Sequence, residues 1–334
     1  MQPKPRGRMK GRESPAALDA EFQALVRNRY AHDPQAMTAL GARLLVGDNA
    51  PRAPADGAAA IAEAAKKGDP DAWSYLAVLA AAGVGRPQSW AEALDALRYA
   101  HELGRSDAGT QIRLLRELGI QTACDVRAWL CACPDRMIRE APRILAYGHF
   151  LTPALCSHLI QRAHPRLVKA QVHDAVHGGL KIDPMRTSTA AVFSLIDSDV
   201  IIQLVRARVA HAADIPTSAL EPTEVLHYAV GERYKMHVDL FHPALPGFAE
   251  QMRTKGQRVK TCLVYLNDTY TGGETDFPKI GVKFRGQAGE ALVFDNVLPN
   301  GGGDMRTLHS GLPPKAGEKW LLSQWIRSKA QPVA

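Results

Sequence analysis

Apolar residues recur at helical spacing through two consecutive copies of one pattern, "DPQAMTALGARLLVGDNAPRAPADGAAAIAEAAKKG" (Asp33 to Gly68) and "DPDAWSYLAVLAAAGVGRPQSWAEALDALRYAHELG" (Asp69 to Gly104), each 36 residues long. Asp33/Asp69, Pro34/Pro70, Ala36/Ala72, Leu40/Leu76, Ala64/Ala100 and Gly68/Gly104 coincide, and Asp107-Ala108 with Ile112 and Leu115 begins a shorter third copy. Each copy predicts two helices: an Asp-Pro start suited to an N-cap and first turn, a Gly-containing turn, and an Ala-rich second helix ending at Gly. From Ala141 the pattern changes. "PRILAYGHFLTPALCSHLIQRA" predicts a strand and then a helix starting at Thr152-Pro153, and "DVIIQLVRARVAHAA" (Asp199 to Ala213) predicts another amphipathic helix. After Pro216 come short strands punctuated by Gly, Asn, Asp and Pro: "TEVLHYAV", "RYKMHVDLF", "RVKTCLVYLND", "GETDFP", "VKFR", "GEALVFDN", "TLHSGLPP" and "EKWLLSQWIR". The expected class is α+β: a C-terminal double-stranded β-helix, or jelly roll, with flanking helices over 141–330, preceded by an all-α helical-repeat domain over 16–135.

At 334 residues the chain has room for two such domains. No apolar run is long enough to span a bilayer, and "MQPKPRGRMKGRESP" is basic but has no apolar segment of a secretory signal, so a cytoplasmic location and no membrane partner are expected. The net charge is +7, of which +4 comes from Lys4, Arg6, Arg8, Lys10 and Arg12 against Glu13. That places most of the excess in residues 1–15, read as a basic disordered tail, and argues against nucleic-acid binding beyond it. The five cysteines, Cys124, Cys131, Cys133, Cys156 and Cys262, lack the paired spacing of a structural zinc site and are expected to be reduced and mostly buried. The repeat segment resembles Sel1-like repeats, a tetratricopeptide-related family. That resemblance implies a protein-binding scaffold; an Ala-rich appendage that only supports the catalytic domain is the alternative.

Candidate chemistry begins at "YKMHVDLFHP" (Tyr234 to Pro243). On a strand, residues i and i+2 face the same side, so His237 and Asp239 project together while Val238 packs. An imidazole and a carboxylate supply two ligands of a mononuclear metal site. For the third, His242 is nearer, but Pro243 restricts its backbone and a continuing strand puts it on the opposite side. His309 begins a late strand and can close the triad across the barrel mouth. Two His and one carboxylate suit a non-heme Fe(II) oxygenase with open positions, and they also suit a zinc hydrolase.

The order of the segments decides more than H-x-D does: H-x-D, "QRVKTCLVYLNDTYTGGETDFP", "GEALVFDN", then His309 followed ten residues later by Lys319 in H-x9-K-W. This set resembles the prolyl 4-hydroxylase branch of the 2-oxoglutarate and Fe(II) dependent dioxygenases, over Ile144 to Arg327 and most densely from Glu224. The resemblance implies His237, Asp239 and His309 as iron ligands and Lys319 as the partner of the distal carboxylate of 2-oxoglutarate, an arrangement in which a partly dry ammonium makes a strong charge-assisted bond. It implies Tyr228, Thr275 and Thr261 as cofactor-pocket residues, and Tyr234, Arg258 and Trp325 as contacts to the substrate. Trp320 is assigned to packing, and Asn296 and Asp304 to groups that orient a ligand. The implied reaction takes O2 and 2-oxoglutarate, releases succinate and hydroxylates a prolyl residue of a protein or peptide, with ascorbate as a reductant.

Three segments depart from the family pattern: the Gly-rich run Leu298 to Gly303, read as a mobile loop at the rim; "HSGLPP" after the third ligand; and "HDAVHGGLKIDP" (His173 to Pro184), read as a flexible loop covering the substrate. They leave open a free amino acid, another side chain or a nucleobase as substrate; the nucleobase is disfavoured because such demethylases hold 2-oxoglutarate with arginine. A reading of another class is a repeat-based binding scaffold with a degenerate oxygenase fold, which the full set of ligands and Lys319 oppose.

Overall fold

A computed structural model describes residues 15–30, 32–131 and 134–331; the basic tail and Cys133 lie outside them. The chain divides into two compact units at 112/113, earlier than the expected break between 135 and 141. The short helix Ala123–Leu130 belongs to the second unit, where Arg208 lies 4.1 Å from the Trp129 ring centroid and donates to its carbonyl.

In the first unit each repeat copy is a helix pair, Pro34–Val46 with Pro54–Lys66 and Pro70–Ala82 with Trp90–Glu102. Asp33 accepts from the Gln35 and Ala36 amides and Asp69 from the Asp71 amide, so Asp-Pro serves as cap and first turn in both copies. The Asp-Pro start also joins successive copies. Buried Asp69 accepts from the Thr38 hydroxyl of the preceding copy, and Asp71 pairs with Arg105 at the head of the next. Small residues set the close approach of the helices: a Cβ on Gly41 would stand 2.7 Å from the Gly57 carbonyl oxygen.

In the second unit all the paired strands are antiparallel. The eight-stranded sheet runs Arg136–Arg139, Ile144–Tyr147, Ala291–Asp295, Arg258–Tyr265, Lys319–Arg327, Thr223–Tyr228, Thr189–Phe193, Val168–Lys169. The four-stranded sheet runs Val282–Phe284, Thr275–Phe277, His309–Gly311, Tyr234–His237. Ile144, Leu226, Tyr228, Tyr265, Phe277, Phe284, Phe294 and Leu321 from both sheets form one core, each large apolar side chain contributing about 1.5–3 kcal/mol by burial. The helices Pro153–Ala163 and Val200–Ala213 pack on strands of the large sheet, and Thr152 caps the first as its sequence predicts. The expected jelly roll is therefore present, with its cavity between the two sheets.

Several expectations change. The segment from His173, read as a flexible loop, is largely a β-hairpin: Gln171–His173 pairs with Leu180–Ile182. The Gly-rich run is a hydrogen-bonded turn in which the Leu298 amide donates to Gly302 and Val297 bridges Gly303. Cys156 and Cys262 are buried, but Cys124 and Cys131 are exposed. The strand carrying the H-x-D motif ends at His237, because its partner begins at His309 and the ladder stops at the pair His309↔His237. Asp239 is thus delivered by the turn after the strand, not by strand alternation.

Candidate metal centre

Strand register assembles the site. His237 stands opposite His309, Thr275 opposite Gly311, and Lys319 opposite Tyr228. One ligand atom each from His237, Asp239 and His309 falls within 4.8 Å of the others, the one such cluster among the described residues. His237 Nε2 is 3.7 Å from Asp239 Oδ1, and His309 Nε2 is 3.8 Å from Asp239 Oδ2.

Both imidazoles are held in one tautomer. His237 Nδ1 donates to the Lys235 carbonyl at 2.7 Å and His309 Nδ1 to the Thr307 carbonyl at 2.9 Å, which leaves each Nε2 lone pair aimed at the common point. Burial, reinforced by His309, drives the His237 pKa well below its ordinary value, so the ring is a neutral ligand. Burial alone would raise the Asp239 pKa, but His309, His237, Arg258 and the Thr261 hydrogen bond outweigh it and keep a carboxylate. Two imidazoles with Nδ1 engaged and Nε2 directed inward, and one carboxylate, converge on a point and fit a divalent metal of the Fe(II) type. His242 is no part of this group; its Nδ1 accepts from the Ala244 amide in an exposed turn.

The cavity also has a cationic end. Lys319 is 1% exposed and its Nζ donates to the Gly273 carbonyl at 2.7 Å, with no carboxylate within ion-pairing distance among the described residues. Burial lowers its pKa to about 7. Tyr228 and Thr275 line the same cavity. Tyr265, which the sequence reading did not single out, completes this end: its hydroxyl lies 2.7 Å from Thr275 Oγ1 and its ring centroid 5.2 Å from Lys319 Nζ.

The remaining residues sort into walls and supports. Tyr234 stacks on His237 at a centroid distance of 3.5 Å, and Trp325 lines the same cavity. Arg258, expected at the substrate, does not line it. Its guanidinium makes two bonds to Glu221, at 2.7 and 2.8 Å, and sits 4.0 Å from the Trp325 ring centroid, so it holds Trp325 from behind. Thr261, expected at the cofactor, faces the metal end instead: its hydroxyl donates to Asp239 Oδ2 at 2.7 Å. The register explains both, since Thr261 pairs with Trp325 at the far end of its strand from Tyr265. Asn296 donates to Thr261 at 2.9 Å. Asp304 caps the turn Met305–Thr307 that leads to His309 and pairs with Arg306. The packing role expected for Trp320 holds, as its buried ring lies against His227 at 4.6 Å.

Arg186 was not legible. It is buried, lines the cavity, bonds Glu224 at 3.0 Å and lies over Tyr234 at 5.0 Å. Its Nε and the Trp325 Nε1 are buried without hydrogen-bond partners among the described residues, donors of the kind that a bound acceptor would satisfy.

Residues 223–327 match the 2OG-Fe(II) oxygenase superfamily. The chain is 34% identical over 211 residues to prolyl 4-hydroxylase 5 of Arabidopsis thaliana, a match covering 57% of this chain and 70% of that one. The chain belongs to the prolyl 4-hydroxylase family. It is accordingly a 2-oxoglutarate dependent dioxygenase that uses Fe(II) and O2, and a His-Asp-His group is present in its cavity. A viral collagen prolyl hydroxylase from Paramecium bursaria Chlorella virus-1, in complex with 2OG, is similar at 27% identity and a TM-score of 0.43, over 56% of this chain and 96% of the other. The chain is also similar to a Sel1 repeat protein of Oxalobacter formigenes, at 20% identity and a TM-score of 0.29 over 35% of this chain and 54% of that one.

A glycine latches the hairpin 171–182 to the segment that follows the metal group. The Gly247 amide donates to Ala175 in the tip of the hairpin, and a Cβ at Gly247 would stand 2.2 Å from the Asp174 oxygen and 2.7 Å from the Gly178 nitrogen. His173 of the same hairpin packs edge-on against Phe241, two residues after Asp239. Gly247→Ala must part the two segments, at a cost of about 1–3 kcal/mol. Cleavage after Lys181 in limited trypsinolysis and amide exchange over 174–183 are expected to quicken by roughly tenfold or more, the kinetic equivalent of that cost; unchanged protection would show that the segments are not latched there.

Proposed function

We propose that the enzyme hydroxylates a prolyl residue of a protein or peptide. The observation that carries this reading is the cavity itself: a His-Asp-His group, a buried lysine without a carboxylate partner among the described residues, and the aromatic side chains of Tyr234 and Trp325 line one pocket. The prolyl 4-hydroxylase relatives support the choice of proline.

His237, Asp239 and His309 would hold Fe(II), and the bound metal, with O2 and 2-oxoglutarate, supplies the oxidising equivalents that yield succinate and place one oxygen atom on a C–H carbon. Lys319 and Thr275 receive the distal carboxylate of 2-oxoglutarate, and Tyr265 orients Thr275. Leu226, Leu263 and Leu321 line the cavity and exclude water. Tyr234, whose ring stacks on His237 and lies under Arg186, and Trp325 form the aromatic wall against which a pyrrolidine ring would lie next to the metal end. Arg186 Nε and Trp325 Nε1, unpartnered among the described residues, are proposed donors to the carbonyl oxygens of the bound peptide. Ascorbate is the proposed reductant that restores Fe(II), and residues 15–112 are the proposed surface for a client or partner protein.

The test is peptide-stimulated turnover. With Fe(II) and 2-oxoglutarate, a proline-containing peptide is expected to raise succinate release well above the peptide-free rate, and the same peptide with alanine for proline is expected not to. Equal stimulation by both peptides would overturn the assignment of proline.

A further inference from the structure

Asp239 and His309 are joined by one continuous chain of buried hydrogen bonds. Thr261 Oγ1 donates to Asp239 Oδ2 at 2.7 Å and accepts from Asn296 Nδ2 at 2.9 Å. The Asn296 carbonyl accepts from the Asp304 amide at 2.9 Å, the Asp304 carbonyl from Thr307 Oγ1 at 2.7 Å, and the Thr307 carbonyl from His309 Nδ1 at 2.9 Å. Thr261, Asn296 and Thr307 are fully buried, so no solvent competes for these bonds. The backbone fixes the middle of the chain, since the Asn296 amide donates to the Val259 carbonyl at 2.8 Å, on the strand that carries Thr261. Asp239 Oδ1, by contrast, has no donor among the described residues.

We infer that Thr261, oriented by Asn296, is a positioning residue that occupies one oxygen of Asp239 and so presents the carboxylate to the metal through the other oxygen alone. The consequence is chemical. A carboxylate free to bind through both oxygens would take one of the positions that 2-oxoglutarate and O2 require. Here Oδ2 is engaged before any metal arrives, and the donor cannot rotate away, because Asn296 Nδ2 directs the Thr261 hydroxyl hydrogen toward Asp239. Asn296 can act on the metal only through Thr261, whereas its backbone contacts, which reach His309, survive side-chain substitution. The inference rests on the metal-site reading above and specifies how this chain enforces it.

The test uses the metal-free full chain titrated with Co(II), whose visible d–d absorption reports both binding and coordination number, so no turnover is needed. Thr261→Val removes the hydroxyl and keeps the shape. It is expected to weaken Co(II) binding by roughly 10–100-fold, the range for lost supporting contacts to metal ligands, and to lower the d–d intensity as a further oxygen enters the coordination sphere. Thr261→Ser restores the hydroxyl and should return both to the wild-type values. Asn296→Ala should weaken binding in the same direction, and adding it to Thr261→Val should cost nothing more, as expected for two links in series. A Thr261→Val protein with wild-type affinity and spectrum, a Thr261→Ser protein as impaired as Thr261→Val, or fully additive effects would each overturn the proposal. A wild type that binds no Co(II), or binds it as well after His237→Ala, would instead refute the metal site itself.

Discussion

Replacing His309 or His237 by alanine is expected to abolish peptide-dependent succinate formation, with a loss of about a thousandfold or more, well beyond the roughly 10–100-fold typical of supporting residues. The reason lies in the register. These two residues face each other at the end of one ladder, and with Asp239 they form the only close triad of metal-ligating side chains among the described residues. No neighbouring group can take over: His242 is bonded into an exposed turn. The folded state should survive, because each histidine makes one hydrogen bond, to a local carbonyl. Activity is read as succinate released per enzyme and folding by circular dichroism. A variant retaining a tenth of the wild-type rate would contradict the assignment.

The second large effect concerns Lys319 and has two opposite signs. Lys319→Met should raise the KM for 2-oxoglutarate by roughly a hundredfold or more, the equivalent of losing a charge-assisted bond worth about 3 kcal/mol. The same substitution should stabilise the empty protein, because a buried ammonium whose nearest partner is a carbonyl becomes a methionine of similar shape. The pH dependence follows from a pKa lowered by burial to about 7 from the ordinary value of 10.5. Between those values the unfolded chain holds the proton and the folded one does not, so this group makes stability rise as pH increases from about 7 toward 10.5, and its destabilising contribution is fully present below 7. A dicarboxylate reverses the preference for the neutral amine. Affinity for 2-oxoglutarate should therefore be flat below about pH 7 and fall above it, and the rise in Tm on adding 2-oxoglutarate should be larger at pH 6.5 than at pH 8.5. Equal shifts at both pH values, or a less stable Lys319→Met protein, would mean that Lys319 is satisfied within the fold.

What could be read in the chain follows the range of the interactions involved. The repeat units were legible because Asp-Pro caps, Gly stops and helical spacing are local, and Asp33 and Asp69 behave as their sequence says. The metal group was legible through the order of its motifs, with His309 and Lys319 giving meaning to His237-Val238-Asp239. The same reasoning placed Asp239 on a strand that ends before it, because a strand needs a partner and the partner begins at His309. Thr261 was expected at the cofactor and lies at the metal end, and Arg258 was expected at the substrate and lies behind Trp325, since a residue's surroundings depend on which neighbours a strand acquires. Arg186 and Tyr265 gave no local signal. Their roles arise from contacts with Glu224, Tyr234 and Thr275, to which only the folded sheets bring them.

The central claim is that this cavity puts an oxygen atom from O2 on a prolyl ring. Incubation of the full chain with Fe(II), 2-oxoglutarate and a proline-containing peptide under 18O2, with tandem mass spectrometry of the peptide, tests it directly. One 18O on a proline residue, matched by one succinate and absent with His237→Ala, is the predicted result; succinate without peptide oxidation, or 18O on a residue other than proline, would contradict it.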